Sequence, residues 1–203
     1  MSVTPLPVLV RASTDADVPA MLAIYRHHIA HGIGDLGGYE AEPLEADDLR
    51  RRRKNMRNHR LPHLVAQIEG IVAGYAYTVP FRKRPAYRYA LKHSIYIHPH
   101  FVNCGVGRTL LPALMDASAA AGYRQMIGYI DPANQASLRL HETLGFARVG
   151  LLPAVAYKFG HWVDSVMVQR ALGPGATTPP GNWEQAAAPS PGETPPPDAG
   201  PPV

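Results

Sequence analysis

Cysteine is nearly missing from this 203-residue chain: Cys104 is the single one, so no disulfide can form within it. A reducing, cytoplasmic setting is the expectation that follows. Also missing is any apolar run near the ~20 residues that span a bilayer, and the stretch from Met1 to Arg11 lacks the pattern of a signal peptide. No membrane association is expected. Charge of one sign is in small excess, with 20 Lys and Arg against 16 Asp and Glu, or +4 with ten neutral histidines. That suits an anionic ligand and is too weak to imply nucleic acid. No internal repeat is visible. His27, His28, His31, His98 and His100 lack the accompanying ligands of a structural zinc site, so no metal is expected.

Proline is abundant, and concentrated at one end. Ten of the 21 prolines fall between Gly173 and Val203, where Trp183 and Val203 are the only large apolar side chains. Such a segment cannot bury enough surface to offset the entropy of ordering it. The expected organisation is a frayed lead-in over residues 1–7, one globular domain over 8–172, and a disordered proline-rich tail over 173–203.

Inside the domain, Val8 to Val10 reads as a short strand. Ser13 to Asp17 with Pro19 supplies a helix start, and Val18, Met21, Leu22 and Tyr25 give that helix one apolar face. Glycines 32, 34, 37 and 38 make a loop. Residues 44–58 read as a second helix, acidic early and basic late. Its run Arg50 to Lys54 contains no aromatic residue for base stacking, so a solvated helix face is the expected reading. Residues 64–79 form a hairpin about Glu69-Gly70. Strands follow at 94–97, 125–130, 147–151 and 162–170, with helices after the turn at 102–107 and over 134–144. The order β-α-α-β-β-β-α-β-α-β-β suggests an α/β (α+β) fold with a mostly antiparallel sheet.

The most informative stretch is a strand running through Asn103-Cys104-Gly105-Val106-Gly107-Arg108 into a helix. Glycines let the backbone turn tightly, and the free N–H groups of the helix start face an anion. The same pattern also serves as a plain structural turn, and Cys104 there is either an activated thiol or an inert small residue.

Four further segments give this turn its context: Pro80 to Tyr87, Ser94 to Pro99, Ala136 to Phe146 and Tyr157 to Asp164. With them, residues 8–172 resemble the GNAT superfamily of N-acetyltransferases, within it the phosphinothricin and methionine-derivative N-acetyltransferases. The resemblance implies a sheet splayed between two central strands and helices on both its faces, with acetyl-CoA as co-substrate in the opening and no metal. It implies that the backbone of Ile95, Tyr96 and Ile97 pairs with the acetyl and pantetheine amides. Amides of Val102, Asn103, Cys104, Gly105, Val106 and Gly107 would hold the pyrophosphate, and Asn134 with Ser137 the pantetheine arm. His141 stands where a residue protonates the departing thiolate. Arg82, Arg84 and Tyr87 would contact a substrate carboxylate, and Tyr39 would form an aromatic wall. A homodimer is implied as well. The implied reaction is acetylation of the amino group of a small amino-acid-like compound such as phosphinothricin or methionine sulfone.

This chain departs from the family at three places. Lys92 occupies the position of the glutamate taken as general base. It is either a neutral lysine that accepts the proton or a solvated residue at a strand end. Val102 and Asn103 replace polar or basic residues of the pyrophosphate turn. Pro112 falls inside the helix that follows, where proline costs ~3 kcal/mol or forces a kink. These departures leave open a second reading, a catalytically weakened acyl-CoA-binding protein.

Overall fold

The computed structural model describes residues 7–31, 45–158 and 160–181. Its elements follow the expected order: β1 (Leu9–Ala12), α1 (Val18–Ala30), α2 (Ala46–Asn58), β2 (His63–Ile68), β3 (Ile71–Pro80), β4 (Ala90–Ile97), α3 (Val106–Ala120), β5 (Gln125–Ile130), α4 (Gln135–Thr143), β6 (Ala147–Lys158) and β7 (His161–Ala171). The strands form one sheet in the order β1-β2-β3-β4-β5-β7-β6. Every neighbouring pair is antiparallel except β4 with β5.

Both faces of the sheet are covered. On one, Val18, Met21, Leu22, Ile24 and Tyr25 of α1 pack against Val65, Val72, Tyr75 and Tyr96. On the other, Val106, Leu110, Leu111 and Leu114 of α3 meet Ala66, Ala73, Met126 and Val168, joined by Leu138 of α4. α1 begins where the apolar spacing predicts. The two carboxylate oxygens of Asp17 accept from Arg11 at 2.7 and 2.8 Å, and one of them also takes the Thr14 N–H at 2.7 Å. This pair, buried on the Asp17 side, ties the helix start to β1.

Four findings differ from the sequence reading. The basic run of α2 is not wholly a solvated face: Arg53 is buried, donating to the Ser13 carbonyl at 2.9 Å and to Asp15. The last hairpin is longer than expected, because β6 continues beyond Leu151 to Lys158. It does so across a register shift between Leu152 and Ala156, where Pro153 is tolerated on an edge strand. Strand β4 starts at Ala90, ahead of the expected Ser94. Finally, the tail does not begin as disordered chain, since residues 173–181 are held on the domain. Arg124 donates to the Gly175 and Pro179 carbonyls and to Thr178 Oγ1 at 3.4–3.5 Å, and Gly175 N–H returns to Leu172. A multidentate guanidinium supplies backbone partners that proline-rich sequence lacks within itself. Residues 182–203, the rest of the expected tail, lie outside the described residues, as do residues 1–6 of the lead-in.

Candidate active site

The site starts at a fork. β4 pairs with β5 from Ala90 to Lys92, opposite Gln125 to Ile127, and pairing stops there although β4 runs on to Ile97 and β5 to Ile130. On its other edge β4 stays paired to β3 throughout, and the ladder closes with His98 N–H donating to Ala73 at 2.9 Å. Peptide groups two residues apart on a strand share a direction. The Ser94 and Tyr96 amides therefore point to β3, and those of Ile95 and Ile97 point into the opening. The Ile97 carbonyl accepts from His28 Nε2 at 2.7 Å. Of the three β4 residues expected to offer backbone groups, Ile95 and Ile97 have them turned to the gap, while Tyr96 contributes cleft surface.

A side chain stands where the ladder would continue. His93 Nδ1 lies 3.0 Å from the Ile127 carbonyl, so the imidazole takes the acceptor at the end of the parallel ladder. Its ring rests on Gly128, where an added Cβ would come within 2.8 Å of His93 Cε1 and 3.0 Å of Val168 Cγ2. Beyond it, His93 Nε2 is 2.8 Å from His141 Nε2, and His141 Nδ1 is 2.7 Å from the Ser137 carbonyl and 3.4 Å from Ser137 Oγ. Both rings are buried, and Phe146 packs on each, with centroids 5.4 and 5.0 Å away. Burial pushes both imidazoles below the usual histidine pKa, His93 to about 3 with repulsion from His141 added. The Ile127 and Ser137 carbonyls act in the opposite sense.

The cleft that opens here is lined by residues 93–96 of β4, 128–131 at the end of β5, and Asn134, Ser137 and His141. Asn134 caps α4, its Oδ1 accepting from Ser137 N–H at 3.0 Å. Three of the expected residues of this region, Asn134, Ser137 and His141, are thus brought to one wall. Helical spacing of 134, 137 and 141 does this.

The turn 102–105 leads to the start of α3. Asn103 and Gly105 have φ of 64° and 82°, and Gly105 is the N-cap, without a side chain to occupy the helix end. The N–H groups of Val106, Gly107 and Arg108 belong to the first turn, where no intrahelical acceptor exists. Val102, Asn103 and Cys104 are exposed. Gly107 faces Leu140 of α4, and an added Cβ would meet its Cδ2 at 2.9 Å. The turn is thereby seated against the helix that carries His141.

Arg82, Arg84 and Tyr87 lie on the exposed loop between β3 and β4, outside the cleft lining. Arg82 is placed by Phe81 and Tyr87, its guanidinium 5.2 and 5.7 Å from their ring centroids. Lys92 is half-buried, at the last β4–β5 pair and on the face of β4 opposite His93, and it does not line the cleft. Tyr39 lies outside the described residues. His93, absent from the residues expected to act, is the one the geometry adds. Its partner is 48 residues away, so no local spacing marks it.

A sheet forked between two central strands, with a helix start and a polar helix wall at the opening, is the architecture of an acyl-CoA-dependent N-acyltransferase. The acetyltransferase (GNAT) family pattern matches residues 27–146, and the chain belongs to that family. It is 42% identical over 172 residues to a phosphinothricin N-acetyltransferase of Alcaligenes faecalis, covering 84% of this chain and 86% of the relative. It is 33% identical to an L-methionine sulfoximine/L-methionine sulfone acetyltransferase of Salmonella typhimurium, over 80% of this chain and 94% of that one. Among solved structures, a phosphinothricin acetyltransferase of Sinorhizobium meliloti in complex with acetyl-CoA superposes with a TM-score of 0.80 at 36% identity. That match covers 85% of this chain and 92% of the other.

Proposed function

We propose that the chain transfers the acetyl group of acetyl-CoA to the amino group of a small amino-acid-like substrate, of the phosphinothricin or methionine sulfone/sulfoximine type. The observation that carries this is the fork beyond Lys92 and Ile127, where the peptide groups of Ile95 and Ile97 face an opening instead of β5. Such groups can pair with the amides of a pantetheine arm as an added strand would. Pyrophosphate would rest on the N–H groups of 106–108, where backbone donors and the helix dipole favour an anion. This survives Val102 and Asn103, because the cradle is made of backbone. Arg82 and Arg84 suit bidentate capture of the substrate carboxylate beside Tyr87. The similar Sinorhizobium meliloti structure is itself a complex with acetyl-CoA, which supports the choice of co-substrate.

Acyl transfer to an amine requires loss of a proton from the ammonium, support for the carbonyl oxygen, and a proton for the departing sulfur. Backbone N–H at the fork serves the second need and the His141 wall the third. Lys92, at the acceptor-side end of β4, would serve the first only as a neutral amine.

Mixing the protein with acetyl-CoA and phosphinothricin or methionine sulfone should release free CoA thiol. A folded protein that turns over no amine in a broad panel would end this reading. Lys92 favours one alternative, an acyl-CoA-binding protein weakened in catalysis. Lys92→Glu separates the two: a large gain in turnover favours the weakened protein, and loss of existing turnover favours a working Lys92.

We further propose a homodimer built on the edge hairpin, in the cytoplasm. β6 ends the sheet, and Val149, Leu151, Val155, Tyr157 and Trp162 of β6 and β7 expose 47–64% of their surface. An apolar edge of that kind asks for a partner. Light scattering should give twice the chain mass, and Trp162→Glu should reduce it to one. Among the described residues no helix is long and apolar enough to cross a membrane.

A further inference from the structure

Four imidazole nitrogens lie in a row between two carbonyl oxygens. From one end they are Ile127 O, His93 Nδ1, His93 Nε2, His141 Nε2, His141 Nδ1 and Ser137 O, with spacings of 3.0, 2.8 and 2.7 Å across the three gaps. A carbonyl oxygen only accepts, so each Nδ1 must carry a hydrogen. With both rings neutral, that leaves two lone pairs facing one another at 2.8 Å. Turning either tautomer round moves the conflict to a carbonyl, where a nitrogen lone pair would face oxygen. All three contacts are satisfied together in one state: three hydrogens on four nitrogens, one of them shared between the Nε2 atoms. Two full imidazolium rings at this spacing are excluded by burial and mutual repulsion.

We propose that His93 and His141 hold a single shared proton, and with it one positive charge, which they pass through Ser137 Oγ to the sulfur that leaves during acetyl transfer. The transfer step rests on the acetyltransferase reading; the shared proton does not. Other titratable groups on the packed elements are Lys92 and Tyr96 of β4, Tyr129 and Asp131 at the end of β5, Arg139 and Glu142 of α4, and His161, Asp164 and Arg170 of β7. None of these is among the influences on either ring. The charge is held by hydrogen bonds alone against the cost of burial, and such a proton is readily given up.

The route follows from the distances. Ser137 lines the cleft, and its Oγ lies 3.4 Å from His141 Nδ1. As the amine nitrogen bonds to the acetyl carbon and the carbon–sulfur bond breaks, that bond's electron pair goes to sulfur. Ser137 gives its hydroxyl proton to sulfur and takes the Nδ1 proton of His141. The pair is left neutral, with His141 Nε2–H donating to His93 Nε2 and His141 Nδ1 accepting from the serine hydroxyl. A proton lost by the attacking ammonium, directly or through water, restores the charge. His93 is a positioning residue here. It touches no reactant, and it keeps His141 protonated on both nitrogens by accepting from Nε2.

Nitrogen-15 NMR of imidazole-labelled protein without ligands tests the shared proton. One strongly deshielded proton coupled to both Nε2 nitrogens is expected, with both Nδ1 atoms protonated. It should disappear in His93→Phe and as pH is raised through a single transition common to both rings. Finding either Nδ1 unprotonated throughout the pH range of the folded protein overturns the proposal. For the transfer step, His93→Phe should lower kcat about 100-fold, within the range of general acid catalysis, with KM for acetyl-CoA unchanged. His93→Gln presents a carbonyl oxygen to His141 Nε2, so it should restore most of kcat. Equal kcat in the two variants, both folded and binding acetyl-CoA, refutes the relay. Absence of turnover in the parent protein refutes the acetyltransferase reading instead, and leaves the NMR result standing.

Discussion

Replacing Gly128 by alanine adds one methyl group at the point where the fork is wedged. The backbone there has no left-handed φ, so alanine is conformationally acceptable and would by itself stabilise a strand by ~0.5–1 kcal/mol. The new carbon, however, would stand 2.8 Å from His93 Cε1 and 3.0 Å from Val168 Cγ2. Val168 is fully buried in β7 and has little room to retreat. The imidazole must therefore move, and it is held at 3.0 and 2.8 Å by Ile127 and His141. Overpacking of this kind costs ~1–3 kcal/mol, and loosening a buried hydrogen bond adds ~1–3 kcal/mol. Against the small backbone gain, a net loss of roughly 1–5.5 kcal/mol follows from these ranges. Urea unfolding of parent and variant measures it, with the m-value as a check on the unfolded state. If His93 wedges the fork, the variant should also bind acetyl-CoA more weakly by calorimetry. A variant as stable as the parent, with unchanged affinity, refutes the packing argument.

Other outcomes follow from the same geometry. His63 is buried, and desolvation, helped by the nearby Arg53 cation, holds its pKa down to about 4 from 6.5. A depressed histidine pKa means the unfolded state takes up the proton first, so stability is intact above pH ~6.5 and falls by roughly 3 kcal/mol toward pH ~4. Unfolding midpoints across that range should show it, and His63→Phe should flatten the slope. Pro112→Ala returns a backbone donor to α3 and should raise stability by ~1–3 kcal/mol in thermal or urea unfolding. Gly107→Val should weaken acetyl-CoA binding by calorimetry, because its side chain would collide with Leu140 and crowd the helix start. Arg124→Ala should speed proteolysis after residue 172, since that guanidinium secures residues 173–181.

Element order and most boundaries were legible because burial follows period: β5 begins and ends at Gln125 and Ile130 as its alternation suggests, and α4 lies within its expected bounds. The glycine turn and the 134, 137, 141 stripe were legible because both are local. What was not legible depends on distant partners. Arg53 reads as one of five basic residues until Ser13 and Asp15, some 40 positions earlier, remove it from water. His93 falls on the strand face opposite Lys92, but nothing local marks the partners on β5 and α4 that close over it. The extra length of β6 was hidden by Pro153, which signals a break on a central strand but not on an edge; the neighbouring Ala154 takes up the register shift with a left-handed φ of 47°.

The short parallel seam has a mechanical consequence. Ala90–Lys92 against Gln125–Ile127 is the only ladder that stitches a four-strand ribbon, β1 to β4, to the three-strand ribbon of β5, β7 and β6 among the described residues. A thioester ligand spanning the unstitched part would act as a splint across both ribbons. Amide exchange should then slow on β4 and β5 together when it binds, and the molecule should melt as a more cooperative unit with the ligand than without it.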